Sequence, residues 1–320
     1  MSDRNIWLDG IMGVVVGDAL GLPVQFSYRE ELENDPVIDM IGYRTFDMPA
    51  GSWSDDSSLT LATLSSINEL GKIDSKDIMK RFVRWYDDGE YTPFGFAYDI
   101  GCTCEEAICR YSELKNHKEC GCVGEFSNGN GSLMRIMPVC LFVYENVMRS
   151  QMTEEEGIEF IHEVSALTHA HLRSQMACGI YYFLVKSILS NIGSLCGRLQ
   201  AGIDDAVRFY HKDIGNLTQL AYYHRLMHLN QFANILADEI SSSGYVVDSI
   251  EAALWCLLNT ENLKGCLLKA VNLGSDTDTV AAIAGGLAGL YYGYQQIPEE
   301  WLEKIQKREW IEEMCEMKEN

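Results

Sequence analysis

Alternation of apolar and polar residues, the mark of a half-buried strand, is almost absent from this chain, which argues against a β-rich fold. No Pro/Ser linker and no low-complexity segment divides it, so one domain is expected across residues 1–320. Basic residues are scarce. Lys and Arg number 25 against 47 Asp and Glu, giving a net charge of −22 and a pI near 4.6. Such a surface repels phosphate backbones, which excludes charge-driven nucleic-acid binding. An anionic small molecule would still bind where a metal or a helix N-terminus reverses the local field. Long apolar runs are also missing by this reading. Asp9 and Asp18 interrupt the first one, so no membrane span is expected. Met1 to Asn5 is polar and reads as no signal peptide. The 11 Cys, an odd number, are scattered and suit free, mostly buried thiols in a reducing cytoplasm.

What is present is helical periodicity. The 320 residues are 47% hydrophobic, enough for one large core or two modest ones. Residues 6–20 place Trp7, Leu8, Ile11, Met12, Val15 and Ala19 at helical spacing. Gly10, Gly13 and Gly17 lie on or near one face there, which predicts close approach of another backbone. Leu59 to Leu70 continues a helix that Gly71 ends, and Ser75 to Asp87 forms another. Residues 89–103 and 121–131 are glycine-bearing loops. Thr153-Glu154-Glu155-Glu156 reads as a capping box. Further helices are expected over 173–189, 248–258, 263–273 and 279–292. Pro298 opens a terminal amphipathic helix with Trp301, Ile305 and Trp310. The fold class is therefore all-α.

Two acidic clusters stand far apart in this helical background: Ser54-Asp55-Asp56-Ser57 and Asp276-Thr277-Asp278-Thr279. Oxygen-rich, sulfur-free ligand sets suit hard cations such as Mg²⁺ or Mn²⁺. If the fold joins them, four carboxylates converge, and only a cation or protons make that tolerable. The plainer reading is that each cluster caps a helix, though a cap needs one acid and not two. Gly274 and Ser275 precede the second cluster and allow close backbone approach to a ligand. Gly129-Asn130-Gly131-Ser132 precedes an apolar run and suits phosphate binding at a helix start, or forms a plain turn. Arg135 would hold a carboxylate or phosphate, or form a structural salt bridge. In Thr168-His169-Ala170-His171 the two rings point apart on a helix, so His169 reads as a substrate contact or a buried His rather than a zinc ligand. Cys102-Thr103-Cys104, Cys109 and Cys120-Gly121-Cys122 have one-residue gaps, unlike the spacing of structural zinc sites. Asp99, in the first glycine-bearing loop, is a candidate general base.

Taken in order, Gly17-Asp18-Ala19-Leu20-Gly21, Trp53-Ser54-Asp55-Asp56-Ser57, Gly129-Asn130-Gly131-Ser132-Leu133-Met134-Arg135, Thr168-His169 and Gly274-Ser275-Asp276-Thr277-Asp278-Thr279 resemble the ADP-ribosylglycohydrolase family of the dinitrogenase-reductase-activating type. The resemblance spans nearly the whole chain. It implies a compact orthogonal helical bundle whose central cleft holds two Mg²⁺ or Mn²⁺ ions. It implies Ser54, Asp55, Asp56, Asp276, Asp278 and Thr279 as metal ligands, with Gly129, Asn130, Gly131 and Ser132 cradling the diphosphate of ADP-ribose. His169 would lie beside the substrate, and Asp99 or Asp276 would serve as base. The implied partner is ADP-ribose, on a modified protein or a small conjugate. Ser54 stands where many members have Thr and keeps the oxygen. Gln25 stands where several members have Glu, thought to be catalytic in serine-linkage hydrolases; Gln takes no proton, which turns the expectation toward arginine-type linkages. Two rival readings remain at this point, a two-metal nucleotide phosphohydrolase and a non-catalytic ADP-ribose binder.

Overall fold

The computed structural model describes residues 4–316. Its helices follow in order as α1 (Ile6–Gly21), α2 (Arg29–Asn34), α3 (Asp55–Leu70), α4 (Ser75–Asp88), α5 (Cys102–Leu114), α6 (Met137–Met148), α7 (Glu154–Ala166) and α8 (Leu172–Leu189). They continue as α9 (Leu195–Tyr210), α10 (Ile214–Leu220), α11 (Leu229–Phe232), α12 (Val246–Leu258), α13 (Leu263–Val271), α14 (Thr277–Tyr292), α15 (Glu299–Leu302) and α16 (Arg308–Met314). Among the described residues there is no strand, and extended pairing is limited to the isolated bridges Cys122 with His169 and Gly129 with Tyr245. The all-α reading holds.

Local chemistry sets the helix ends. Asn5 Oδ1 accepts from Trp7 N and Leu8 N, both at 3.1 Å, and so starts α1. The expected capping box starts α7: Thr153 Oγ1 accepts from Glu156 N at 3.2 Å, and Glu156 Oε2 accepts from Thr153 N at 2.8 Å. Gly71, at φ 64°, closes α3 in the left-handed conformation.

One contiguous apolar cluster runs from Trp7 to Cys315, and its axis is the pair α1 and α14. Their backbones nearly touch. A Cβ on Gly13 would sit 2.1 Å from the Gly285 carbonyl oxygen, and one on Gly17 would sit 2.1 Å from that of Ala281. This is the close approach predicted from the glycine face of α1, and it offsets the helix propensity those glycines forfeit.

Three expectations need correction. The segment Ile6–Val24 is long and apolar enough to cross a membrane, at 19 residues and mean hydropathy 1.4, despite its two acids. In this fold 89% of it is buried. The terminal helix is two, α15 and α16, separated at Lys307 with φ 51°. Tertiary bonds pull the chain aside there: Gln306 N donates to Gly51 O at 3.1 Å and Lys307 Nζ to Thr92 O at 2.7 Å. The helix expected straight after Ser132 begins at Met137, because residues 131–135 turn first and Pro138 favours a helix's opening turn.

Candidate active site

The C-terminal end of α1 gathers both acidic clusters. Asp18, fully buried in its last turn, accepts from Ser54 N with both oxygens at 3.0 Å. It also accepts from Ser57 N at 3.0 Å and Ser57 Oγ at 2.6 Å, which pins the start of α3 against α1. Thr277 Oγ1 donates to Gly21 O at 2.8 Å and pins the start of α14 to the same place. The result is contact between clusters more than two hundred residues apart: Thr279 Oγ1 donates to Asp56 Oδ2 at 3.3 Å.

Capping accounts for only part of this. Ser54 does cap α3, its Oγ accepting from Asp56 N at 3.3 Å. Asp276 occupies the cap position of α14 yet caps nothing. Its Oδ2 instead accepts from Asn130 Nδ2 at 2.6 Å, and Asn130 is held in turn by Ser249 Oγ at 2.9 Å. Asp278 Oδ1 accepts from the next residue's N–H at 2.9 Å.

The electrostatics are one-sided. Burial first, then the neighbouring aspartates, raise Asp55, Asp56 and Asp278 well above the ordinary carboxylate range. Burial also raises Asp99 and pushes Asp18 up to about 6, against the lowering effect of its hydrogen bonds. The charged groups acting on these acids are other acids, with no Lys or Arg beside them. Asp56 Oδ1 and Asp278 Oδ2 are buried without a hydrogen-bond partner. Hard oxygen donors, like charge and orphaned carboxylate oxygens together fit a divalent cation. Among the described residues no three His, Cys, Asp or Glu side chains are grouped to hold a metal ion by themselves, so hydroxyls and water would have to complete any coordination.

These acids floor a cleft of about 400 Å³. Asp55, Asp99, Gly129, Asn130, Gly131, His169, Ser275, Asp276 and Thr279 line it, together with Gln25 and Cys104. A larger groove of about 880 Å³ lies beyond Phe26 and Ser275, but none of the buried acids opens into it. The smaller cleft is therefore the candidate site. Ser54, Asp56 and Asp278 lie beneath its surface, buried to 1%, 1% and 0% exposure. Asp99 sits at the lip with φ 55°, beside Asp278 and Gln25.

Other residues singled out in the sequence are placed elsewhere. Ser132 is fully buried and turns away from the cleft; its Oγ accepts from Ser165 Oγ at 2.9 Å. Gly274, at φ 76°, wedges against the backbone of Ser27 and Arg29 and shapes the loop from behind. Asn130 N–H is spent on Gly244 O at 3.0 Å, so it is not free for a phosphate. Arg135 holds neither a carboxylate nor a phosphate. It is fully buried, its Nη2 donating to Val164 O at 3.2 Å and Thr168 Oγ1 at 2.9 Å, with Phe82 beneath it at 4.6 Å. His171 points away from His169, its Nδ1 accepting from Arg173 N at 3.2 Å to cap α8. Sequence reasoning gave Asp18 no role beyond its motif. An acid inside the most apolar helix, among glycines, was the available signal.

A family model for ADP-ribosylglycohydrolase matches residues 3–319. The chain belongs to the ADP-ribosylglycohydrolase family. Among curated relatives, ADP-ribosylarginine hydrolase Tri1 of Serratia proteamaculans is 31% identical over 307 residues, covering 96% of this chain and 76% of its own length. ADP-ribosyl-[dinitrogen reductase] glycohydrolase of Rhodospirillum rubrum is 29% identical over 301 residues, covering 93% of this chain and 89% of that one. A solved structure described as an ADP-ribosylglycohydrolase-related protein complex superposes with a TM-score of 0.78 at 27% identity, covering 98% of this chain and 97% of the other. This family member is accordingly a glycohydrolase in class and all-α in fold.

Proposed function

We propose that this protein removes ADP-ribose from modified proteins or small conjugates by hydrolysing the glycosidic bond at the distal ribose, with divalent metal, and prefers arginine-type to serine linkages. One observation carries the reading. Acid clusters from opposite ends of the chain meet under a cleft, without a cation beside them, and leave Asp56 Oδ1 and Asp278 Oδ2 unpartnered. Relatives named for ADP-ribosylarginine and for ADP-ribosyl-dinitrogen reductase support the substrate class. Ser54, Asp55, Asp56, Asp276, Asp278 and Thr279 would hold two Mg²⁺ or Mn²⁺ ions. When bound, the ions would supply charge neutralisation and Lewis-acid activation at the ribose and diphosphate.

The side chains supply the rest. Asn130 fixes Asp276 Oδ2 at the cleft lining, so Asp276 is placed to take the proton of an attacking water. Asp99 faces it across the cleft as the second candidate base. Gly129, Gly131, Ser275 and His169 form the polar wall along which the diphosphate would lie. Gln25 cannot donate a proton to a departing group. A protonated guanidinium departs as neutral guanidine, whereas a serine alkoxide needs an acid, which favours the arginine linkage. Eleven free thiols suit a reducing cytoplasm.

The test is a panel of ADP-ribosyl-arginine, ADP-ribosyl-serine peptide and small ADP-ribose conjugates with Mg²⁺, Mn²⁺ or chelator, products resolved by chromatography. Free ADP-ribose from the arginine conjugate, with metal only, supports the reading. AMP as product would replace it with phosphoryl cleavage, and tight binding without turnover would replace it with a non-catalytic binder.

A further inference from the structure

Behind the wall of the cleft lies a buried charge that hydrolysis itself does not use. Arg135 makes no ion pair among the described residues, and its Nε and Nη1 have no hydrogen-bond partner. A fully buried guanidinium held this way costs stability, so the bonds it does make bear on function. It donates from Nη2 to Thr168 Oγ1 at 2.9 Å, and Thr168 Oγ1 lies 2.9 Å from His169 Nδ1. We infer that Arg135 and Thr168 are positioning residues that fix His169 in its neutral, Nε2-protonated tautomer, with that N–H presented to an oxygen of the bound ligand.

The direction of each bond follows from donor and acceptor inventory. Guanidinium only donates, so Thr168 Oγ1 accepts from it. Thr168 is fully buried, and its single proton must find an acceptor. His169 Nδ1 is the strong acceptor within reach. The Cys104 thiol also stands close enough to feel the hydroxyl, but sulfur accepts weakly beside an imidazole nitrogen. If Nδ1 carried the proton instead, the hydroxyl would hold two donors and lose its good acceptor. With Nδ1 accepting, the ring proton sits on Nε2. That nitrogen has no partner within the protein and runs along Gly129 and Gly131 at the cleft wall, where a Cβ on either glycine would come within 3.4 Å of it. Burial, and then the Arg135 charge, push His169 down to about 3, so the ring stays neutral through the physiological range. His169 is thus a fixed donor and not an acid–base group. Its ligand atom is an acceptor oxygen, of a phosphate or a ribose.

The tautomer can be read directly by long-range ¹H–¹⁵N correlation on histidine-labelled protein, with His169→Gln assigning the signal. The expected spectrum is the Nε2-protonated pattern, unchanged from pH 5 to 8. In Thr168→Val the pattern shifts toward the other tautomer and ADP-ribose binds about ten-fold more weakly by calorimetry, the loss of roughly one hydrogen bond. Thr168→Ser restores both. An Nδ1-protonated ring in the unaltered protein, or titration of His169 between pH 5 and 8, overturns the inference. So does Thr168→Val with unchanged tautomer and affinity. The ligand rests on the ADP-ribose reading, but the tautomer does not: absence of any ADP-ribose binding by the unaltered protein defeats that reading, while the spectrum alone decides the positioning claim.

Discussion

At the scale of single residues, buried ionisable groups decide both chemistry and stability. Asp56 and Asp278 are raised by burial and then by the aspartates around them, so without a cation their charge opposes folding. Asp56→Asn and Asp278→Asn are expected to lose at least a hundred-fold in kcat, yet to be more stable than the parent in chelator by about 1–3 kcal/mol. For an acid whose folded pKa is raised, stability is full at low pH and falls as pH climbs toward the raised value, so that difference should grow with pH. Denaturant unfolding at pH 5 and pH 8 in chelator checks it. His162 works in the opposite direction. Burial pushes it down to about 4, and its Nε2 lies 2.7 Å from Tyr210 Oη. A lowered folded pKa for a base leaves stability intact above about 6.5 and removes it as pH falls toward 4. About 3 kcal/mol at most is at stake, and His162→Gln should flatten the acid limb of the stability curve in this window.

At the scale of elements, the site depends on how closely α1 and α14 cross. α1 contributes Asp18, which pins the start of α3, and α14 contributes Asp278 and Thr279, so the spacing of α1 and α14 also sets how the two acidic clusters meet. A methyl on Gly13 would meet the Gly285 carbonyl at 2.1 Å, a contact that only helix displacement relieves. Gly13→Ala is expected to cost about 3 kcal/mol or more in denaturant unfolding and to weaken Mg²⁺ binding measured by calorimetry. Gly197→Ala is the contrasting case: its nearest neighbour at a Cβ is the Ser194 hydroxyl at 3.3 Å, on a helix remote from the cleft, and metal affinity should not change. The glycine face of α1 was legible because its spacing has one purpose. The break between α15 and α16 was not, because it follows from bonds to Gly51 and Thr92, which local pattern does not encode.

At the scale of the whole molecule, a net charge of −22 and a knot of buried acids act together. A ligand that binds only the folded state stabilises it by RT ln(1 + [L]/Kd), about 2.7 kcal/mol at a hundred-fold excess over Kd. Mg²⁺ or Mn²⁺ at millimolar level should therefore raise Tm by several degrees, and chelator should reverse the shift in a thermal melt. Monovalent salt at matched ionic strength should reproduce little of this, since screening reaches exposed charge far better than buried pairs. Loss of the shift in Asp56→Asn would locate it at the cleft.

Composition, period and motif order by themselves determined an all-helical chain, the glycine face of α1, and the acids and loop residues that line or floor the cleft. These are short-range properties, fixed by 3.6-residue spacing and by the few residue types that suit hard cations. The tertiary structure alone decided that Ser132 and Gly274 face away from the cleft, that Asp18 pins the first cluster to the end of α1, and that Arg135 binds Thr168 beside a histidine rather than an anion. Side-chain direction and the partner of a buried charge depend on which distant helices pack together, and pairing over such separations leaves no trace in local sequence.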